Sequence, residues 1–125
     1  MDLTAKLKDH ISQRQKELLK GDLQGAAVSC NRIGNLFSEQ GDFEQALQAH
    51  EEELKLSTKV KEKLSQAIAH RRIADCLKLL GHFGEAVQHC LKFQRLAEEA
   101  KDPKVKLSIL CVRFVDGSSI LYLLS

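Results

Sequence analysis

The sequence has no Trp, one Pro and few aromatic side chains, five Phe and one Tyr in 125 residues. What it has in their place is Leu, Ala, Lys, Glu and Gln, the strong helix formers, so a β-sandwich is excluded. It also lacks the composition of a disordered chain, being 43% hydrophobic and 29% charged. One sign of charge does not dominate: 19 Lys+Arg against 17 Asp+Glu leave +2, so net charge gives no footprint for nucleic acid, and no direct nucleic-acid contact is expected. No apolar run approaches the roughly 18 residues of a membrane span, and Ile120 to Leu124 is far too short. Charges run through residues 1 to 20, which leaves no apolar signal-peptide core after Met1. An intracellular protein without membrane contact is the expectation.

The four cysteines (Cys30, Cys76, Cys90, Cys111) include no C-x-x-C pair and sit within helical patterns, so reduced, buried thiols are expected. A Gly-rich phosphate loop and a Ser/His/Asp set are both missing. His50, His70, His89 and Cys90 could be imagined as ligands or as a Cys/His pair. Against this, His50, His70 and Cys90 fall at core-facing positions, and neighbouring His89 and Cys90 point about 100° apart on a helix. The reading is therefore no catalytic residue, no metal ligand and no cofactor. Lys55, Lys59, Lys61 and Lys63 are diluted by Glu51, Glu52, Glu53 and Glu62, as a solvated face is.

What is present is an internal repeat. At an offset of forty, Ala27, Arg32, Ile33, Gly41, Phe43, Ala46, Gln48 and Leu56 fall on Ala67, Arg72, Ile73, Gly81, Phe83, Ala86, Gln88 and Leu96. Eight identities in thirty pairs exceed the roughly two that ordinary composition gives. In the first copy Ala27, Cys30, Ile33, Gly34 and Phe37 share one helical face. Gly41 ends that helix, Asp42 caps the next, and Phe43, Ala46, Leu47, His50 and Leu54 form the second inner face. The second copy repeats this with His70, Ile73, Ala74 and Leu77, then Gly81, then Phe83, Ala86, Val87, Cys90 and Phe93. Gly34, Ala74, Ala46 and Ala86 are small where two helices would approach most closely.

This arrangement of small residue, aromatic or Leu, turn Gly, aromatic and Ala resembles the tetratricopeptide repeat over residues 23 to about 101. The resemblance implies an all-α solenoid of helical hairpins wound as a right-handed superhelix. It is imperfect: Cys30 and His70 stand where that family often has Trp, and the period exceeds the family's usual 34. The domain reading is an amino-terminal helix over 1–21, hairpins over 22–60 and 61–101, and an incomplete third repeat with an atypical tail over 102–125. In the amino-terminal helix Leu3, Leu7, Ile11, Arg14 and Leu18 lie near helical spacing and would shield the first hairpin. Phe114 and the turn-like Asp116-Gly117-Ser118-Ser119 break the third copy, so a truncated array, marginal stability and an open oligomeric state are expected.

The blocks Glu44 to Leu54, Ala67 to Ala74 and Glu85 to His89 are similar to the amino-terminal repeats of tonsoku-like proteins. That resemblance implies a nuclear scaffold in replication-associated DNA double-strand break repair. Asn31, Gly34 and Asn35 are also reminiscent of the spindle-orientation adaptors, which would make the chain a cytoplasmic, peptide-binding polarity adaptor instead.

In stacked hairpins the first helix of each pair lines the concave face. Moving away from the core face of those helices gives Asn31, Asn35 and Ser38, then Arg71, Asp75, Lys78 and Leu79. Asn can bond a peptide backbone as donor and acceptor, and Arg71 and Lys78 can meet carboxylates. The expected partner is a protein or peptide of acidic character held along this groove. By residue type alone, an ordinary solvated helix face fits as well.

Overall fold

The computed structural model describes residues 2–100, so the expected third repeat and tail over 102–125 lie outside the described residues. Five helices follow one another: α1 Leu3–Lys20, α2 Leu23–Glu39, α3 Phe43–Lys59, α4 Lys63–Leu79 and α5 Phe83–Ala100. No strand occurs among the described residues. The chain is an all-α helical repeat, as the sequence pattern leads one to expect. The helices begin at Leu3, Leu23, Phe43, Lys63 and Phe83, each twenty residues after the last. The forty-residue period is thus two steps of twenty, and α1 shares the phase of α3 and α5.

The joints explain that regularity. Gly21, Gly41 and Gly81 take φ of +78°, +81° and +86°, the left-handed turn that ends a helix and that glycine adopts without a Cβ clash. Asp2, Asp22 and Asp42 then cap α1, α2 and α3, accepting hydrogen bonds from the backbone N–H of Ala5, Gly25 and Gln45 at 2.8, 3.0 and 3.2 Å. The joint before α4 departs from the pattern. There Lys61 is forced to φ +58° and Glu62 makes no side-chain capping bond.

Each helix packs on the next in sequence, α1 on α2 through to α4 on α5. Alanine dominates the contacts: Ala26, Ala46, Ala67, Ala69, Ala74, Ala86 and Ala97 are all fully buried. Small side chains let the axes approach closely, as the repeat pattern requires. One core cluster joins Ala67, Ile73, Ala74, Leu77, Ala86, Phe93 and Ala97. A second joins Ala26, Ala27, Cys30 and Leu56, with Leu18 of α1 packed against it.

Two apolar positions differ from the sequence reading. Ile11 is exposed, and the side chain that α1 buries most fully is Glu17, whose carboxylate accepts a 2.6 Å hydrogen bond from the Ser29 hydroxyl. A polar contact therefore helps fasten α1 to α2. Phe83 is 46% exposed, whereas its counterpart Phe43 is half-buried. The difference follows from neighbours: α3 packs closely on both α2 and α4, whereas the chief neighbour of α5 among the described residues is α4. Gly34 is small for a specific reason. The imidazole of His50 lies over it, so that an added Cβ would collide with Nε2, Cε1 and Cδ2 of the ring. No helix among the described residues is long and apolar enough to cross a membrane.

Candidate functional site

The residues picked from the sequence occupy matching places on α2 and α4: Asn31 with Arg71, Asn35 with Asp75, and Ser38 with Lys78, all half-buried. A hydrogen-bonded ladder connects the α2 members to a buried pair on α3. Asn35 Nδ2 donates to Asn31 Oδ1 at 3.1 Å, and Asn31 Nδ2 donates to both oxygens of Glu53 at 3.2 and 3.1 Å. Glu53 Oε1 also accepts from His50 Nδ1 at 2.9 Å, with the two side chains 5% and 1% exposed.

The chemistry of that pair fixes the ladder's polarity. An ionised carboxylate only accepts hydrogen bonds, so Glu53 can face the amide nitrogen of Asn31 and not its oxygen. Asn31 Oδ1 must then face Asn35, whose nitrogen turns toward it. Asn35 Oδ1 remains as an acceptor for a partner's N–H. Helical position alone places Asn31 and Asn35 on one face of α2, but the register of Glu53 against them is a tertiary feature.

On α4 the cations gather around Asp75. Burial raises the Asp75 carboxyl above the usual carboxylate range, while Arg71, Lys78, Arg72 and His50 act in the opposite direction. The Nε atoms of Arg71 and Arg72 are buried without a hydrogen-bond partner, so part of each guanidinium's donor capacity is unmet. Burial pushes the Cys76 thiol above its ordinary value, with Ser38 of α2 acting in the opposite direction.

The sequence reading did not include Arg32, Arg72 or any residue of α1 in the site. Asn35 and Arg32 border a cleft of about 480 Å³ together with Leu36 and with Lys6, Asp9 and His10 of α1. Arg32 and Arg72 were visible as an offset-forty identity, and His10 stands forty residues before His50. A second cleft, about 550 Å³, lies between α1 and α3 over Leu18 and Leu56, with Gln48, Glu51, Glu52, Lys55 and Lys59 around it. Arg14 bonds Glu52 beside it at 3.0 Å.

The three histidines singled out in the sequence have separate partners. His50 is engaged by Glu53, whereas His70 Nδ1 lies 2.9 Å from His89 Nδ1 across the α4–α5 interface. Among the described residues no group of three His, Cys, Asp or Glu side chains is arranged to hold a metal ion. Cys30 and Cys76 are buried and Cys90 is half-buried, and these three form no disulfide with one another. Burial, assisted by Glu52, pushes the Cys30 thiol up to about 12.

Comparison with known proteins yields one family and a set of curated relatives. Residues 25–99 match the family described as Tetratricopeptide repeat. The mouse Tonsoku-like protein is 30% identical over 89 residues, covering 71% of this chain and 6% of the mouse protein. The bovine Tonsoku-like protein is 30% identical over 97 residues, 78% of this chain and 7% of its own length. The fruit-fly counterpart is 24% identical over 95 residues. The chain therefore spans only a small fraction of the relatives it matches.

Proposed function

The chain belongs to the tetratricopeptide-repeat family, and from that premise we propose that its α2–α4 face is the peptide-binding groove of a protein-interaction scaffold. The observation that carries this reading is the ladder from buried Glu53 through Asn31 to Asn35. A buried carboxylate spent on orienting two half-buried amides is unnecessary for a solvated helix face. It is what presenting a fixed acceptor to a peptide N–H requires. Arg71, Arg72 and Lys78 beside it favour acidic residues in the same peptide.

We read the chain as non-catalytic. The Cys30 thiol, held near 12, and the raised Cys76 thiol carry almost no thiolate at neutral pH, so neither is an activated nucleophile. The finer assignment, a nuclear scaffold in replication-associated DNA double-strand break repair, rests on the resemblance to tonsoku-like repeats.

The test is fluorescence polarisation with a panel of labelled twelve-residue peptides graded from acidic to basic. Binding of acidic members that is lost in a folded Asn35→Ala/Arg71→Glu variant supports the groove. Affinity that this double substitution leaves unchanged overturns it. For the finer assignment, affinity purification from cells should return proteins of damaged replication forks; recovery of cortical polarity proteins instead would reverse it.

A further inference from the structure

His70 and His89 have no part in the groove described above, yet they form the one direct imidazole pair among the described residues. Their Nδ1 atoms are 2.9 Å apart and their ring centroids 5.1 Å, tilted by 36°. His70 is almost fully buried on α4 and His89 half-buried on α5. A hydrogen bond at that distance needs one Nδ1 to carry a proton and the other to offer a lone pair. With one proton on each ring, both are neutral.

Protons can be added to this pair in two steps. The first, at the outer nitrogen of the donor ring, keeps the Nδ1–H to Nδ1 bond but places a positive charge in a partly buried site. The second removes the remaining lone pair, so that two N–H donors and two charges face each other. The surroundings do not compensate. α5 brings Lys92 and Arg95 to His70, and Lys92 with the single acid Glu85 to His89. Apart from the effect of the two rings on each other, the charges that act on them all come from α5.

We propose that the His70–His89 pair is a proton-operated latch, closed at neutral pH, whose protonation loosens the second hairpin while leaving the first intact. The first hairpin supplies an internal reference, because Cys30 and Ala49 occupy the positions matching His70 and His89, and both are buried. The sign follows from where each ring titrates. Burial first, then His89, Lys92 and Arg95, hold His70 down to about 4 from an ordinary value of 6.5, and burial and Lys92 likewise lower His89. A folded state that binds protons less readily than the unfolded chain is fully stable above 6.5. That stability is lost as pH falls from 6.5 toward about 4. Because the two rings interact, they titrate as a pair.

The latch also touches the proposed groove, since Arg71, Asp75 and Lys78 ride on the helix that His70 fastens. That consequence rests on the groove reading; the latch does not, and its test needs no partner. Amide hydrogen exchange, corrected for intrinsic rates, would be compared at pH 7.5 and 5.5 for α2–α3 and α4–α5. The expected result is a selective loss of protection in α4–α5. For each proton taken up, the folded-to-unfolded ratio falls by up to about tenfold per pH unit. In His89→Gln the pH effect should shrink markedly. Equal loosening of both hairpins, or an undiminished effect in His89→Gln, would overturn the latch. If that variant fails to fold, imidazole NMR titration of the wild-type chain decides. His70 and His89 should titrate below the ordinary imidazole value of 6.5, and titration at that value sinks the proposal.

Discussion

At Lys61 the backbone demands what its side chain resists. The equivalent positions twenty and forty residues before, and twenty after, are Gly21, Gly41 and Gly81. A residue with a Cβ pays about 1–2 kcal/mol in the left-handed region, and glycine avoids most of it at some cost in chain entropy. Lys61→Gly should therefore stabilise the fold by about 0.5–1 kcal/mol. Glu62, next in line, stands where Asp22 and Asp42 cap their helices, but its carboxylate makes no capping bond. Asp, one methylene shorter, suits the cap, and Glu62→Asp should add about 1 kcal/mol. Each substitution should raise the urea midpoint without altering the m-value. A lower midpoint in Lys61→Gly would mean that the lysine makes a compensating contact.

Among the elements, α2 to α5 were more legible than α1. The offset-forty identities located both hairpins, because Gly41 and Gly81 stop helices by a local backbone rule and the alanines repeat with the contacts they make. The role of α1 was only partly visible. Its phase with α3 was written in Gly21-Asp22, twenty residues before Gly41-Asp42, but its most buried side chain is polar. An apolar pattern could not reveal that Glu17, not Ile11, is buried against Ser29. The site shows the same division. Asn31, Asn35 and Arg71 could be picked by their position on a helix, whereas Glu53 and the α1 wall of Lys6, Asp9 and His10 depend on which helix lies alongside. The α1–α2 joint yields its own prediction. Ser29→Ala leaves the Glu17 carboxylate buried without its hydroxyl donor, which should cost about 1–3 kcal/mol. Thermal unfolding gives the cost, and Glu17→Gln/Ser29→Ala, which removes the charge as well, should recover part of it. No recovery would mean that the carboxylate is hydrated and the bond contributes little.

For the whole molecule, the serial packing of α1 on α2 through to α4 on α5 gives a quasi-one-dimensional architecture, in which stability is approximately a sum over neighbouring helices. Damage should then fade with distance along the chain. Gly34 offers a sharp place to introduce it, because a single methyl there meets the His50 ring, and that ring is held by Glu53. The imidazole cannot swing away without breaking its bond to Glu53, the carboxylate that also orients Asn31, so Gly34→Ala should destabilise the α2–α3 pair by about 1–3 kcal/mol. In native-state hydrogen exchange the variant should lose protection strongly in α2 and α3 and less in α4. In α5, whose chief contacts among the described residues are with α4, it should change least. The same substitution should loosen the Asn31–Asn35 ladder and weaken acidic-peptide binding more than the modest loss of global stability would. Uniform loss of protection from α1 to α5 would identify one cooperative unit, and the neighbour-by-neighbour description would fail. A graded profile with peptide affinity unchanged would keep the serial description and remove Glu53 and His50 from any part in presenting the groove.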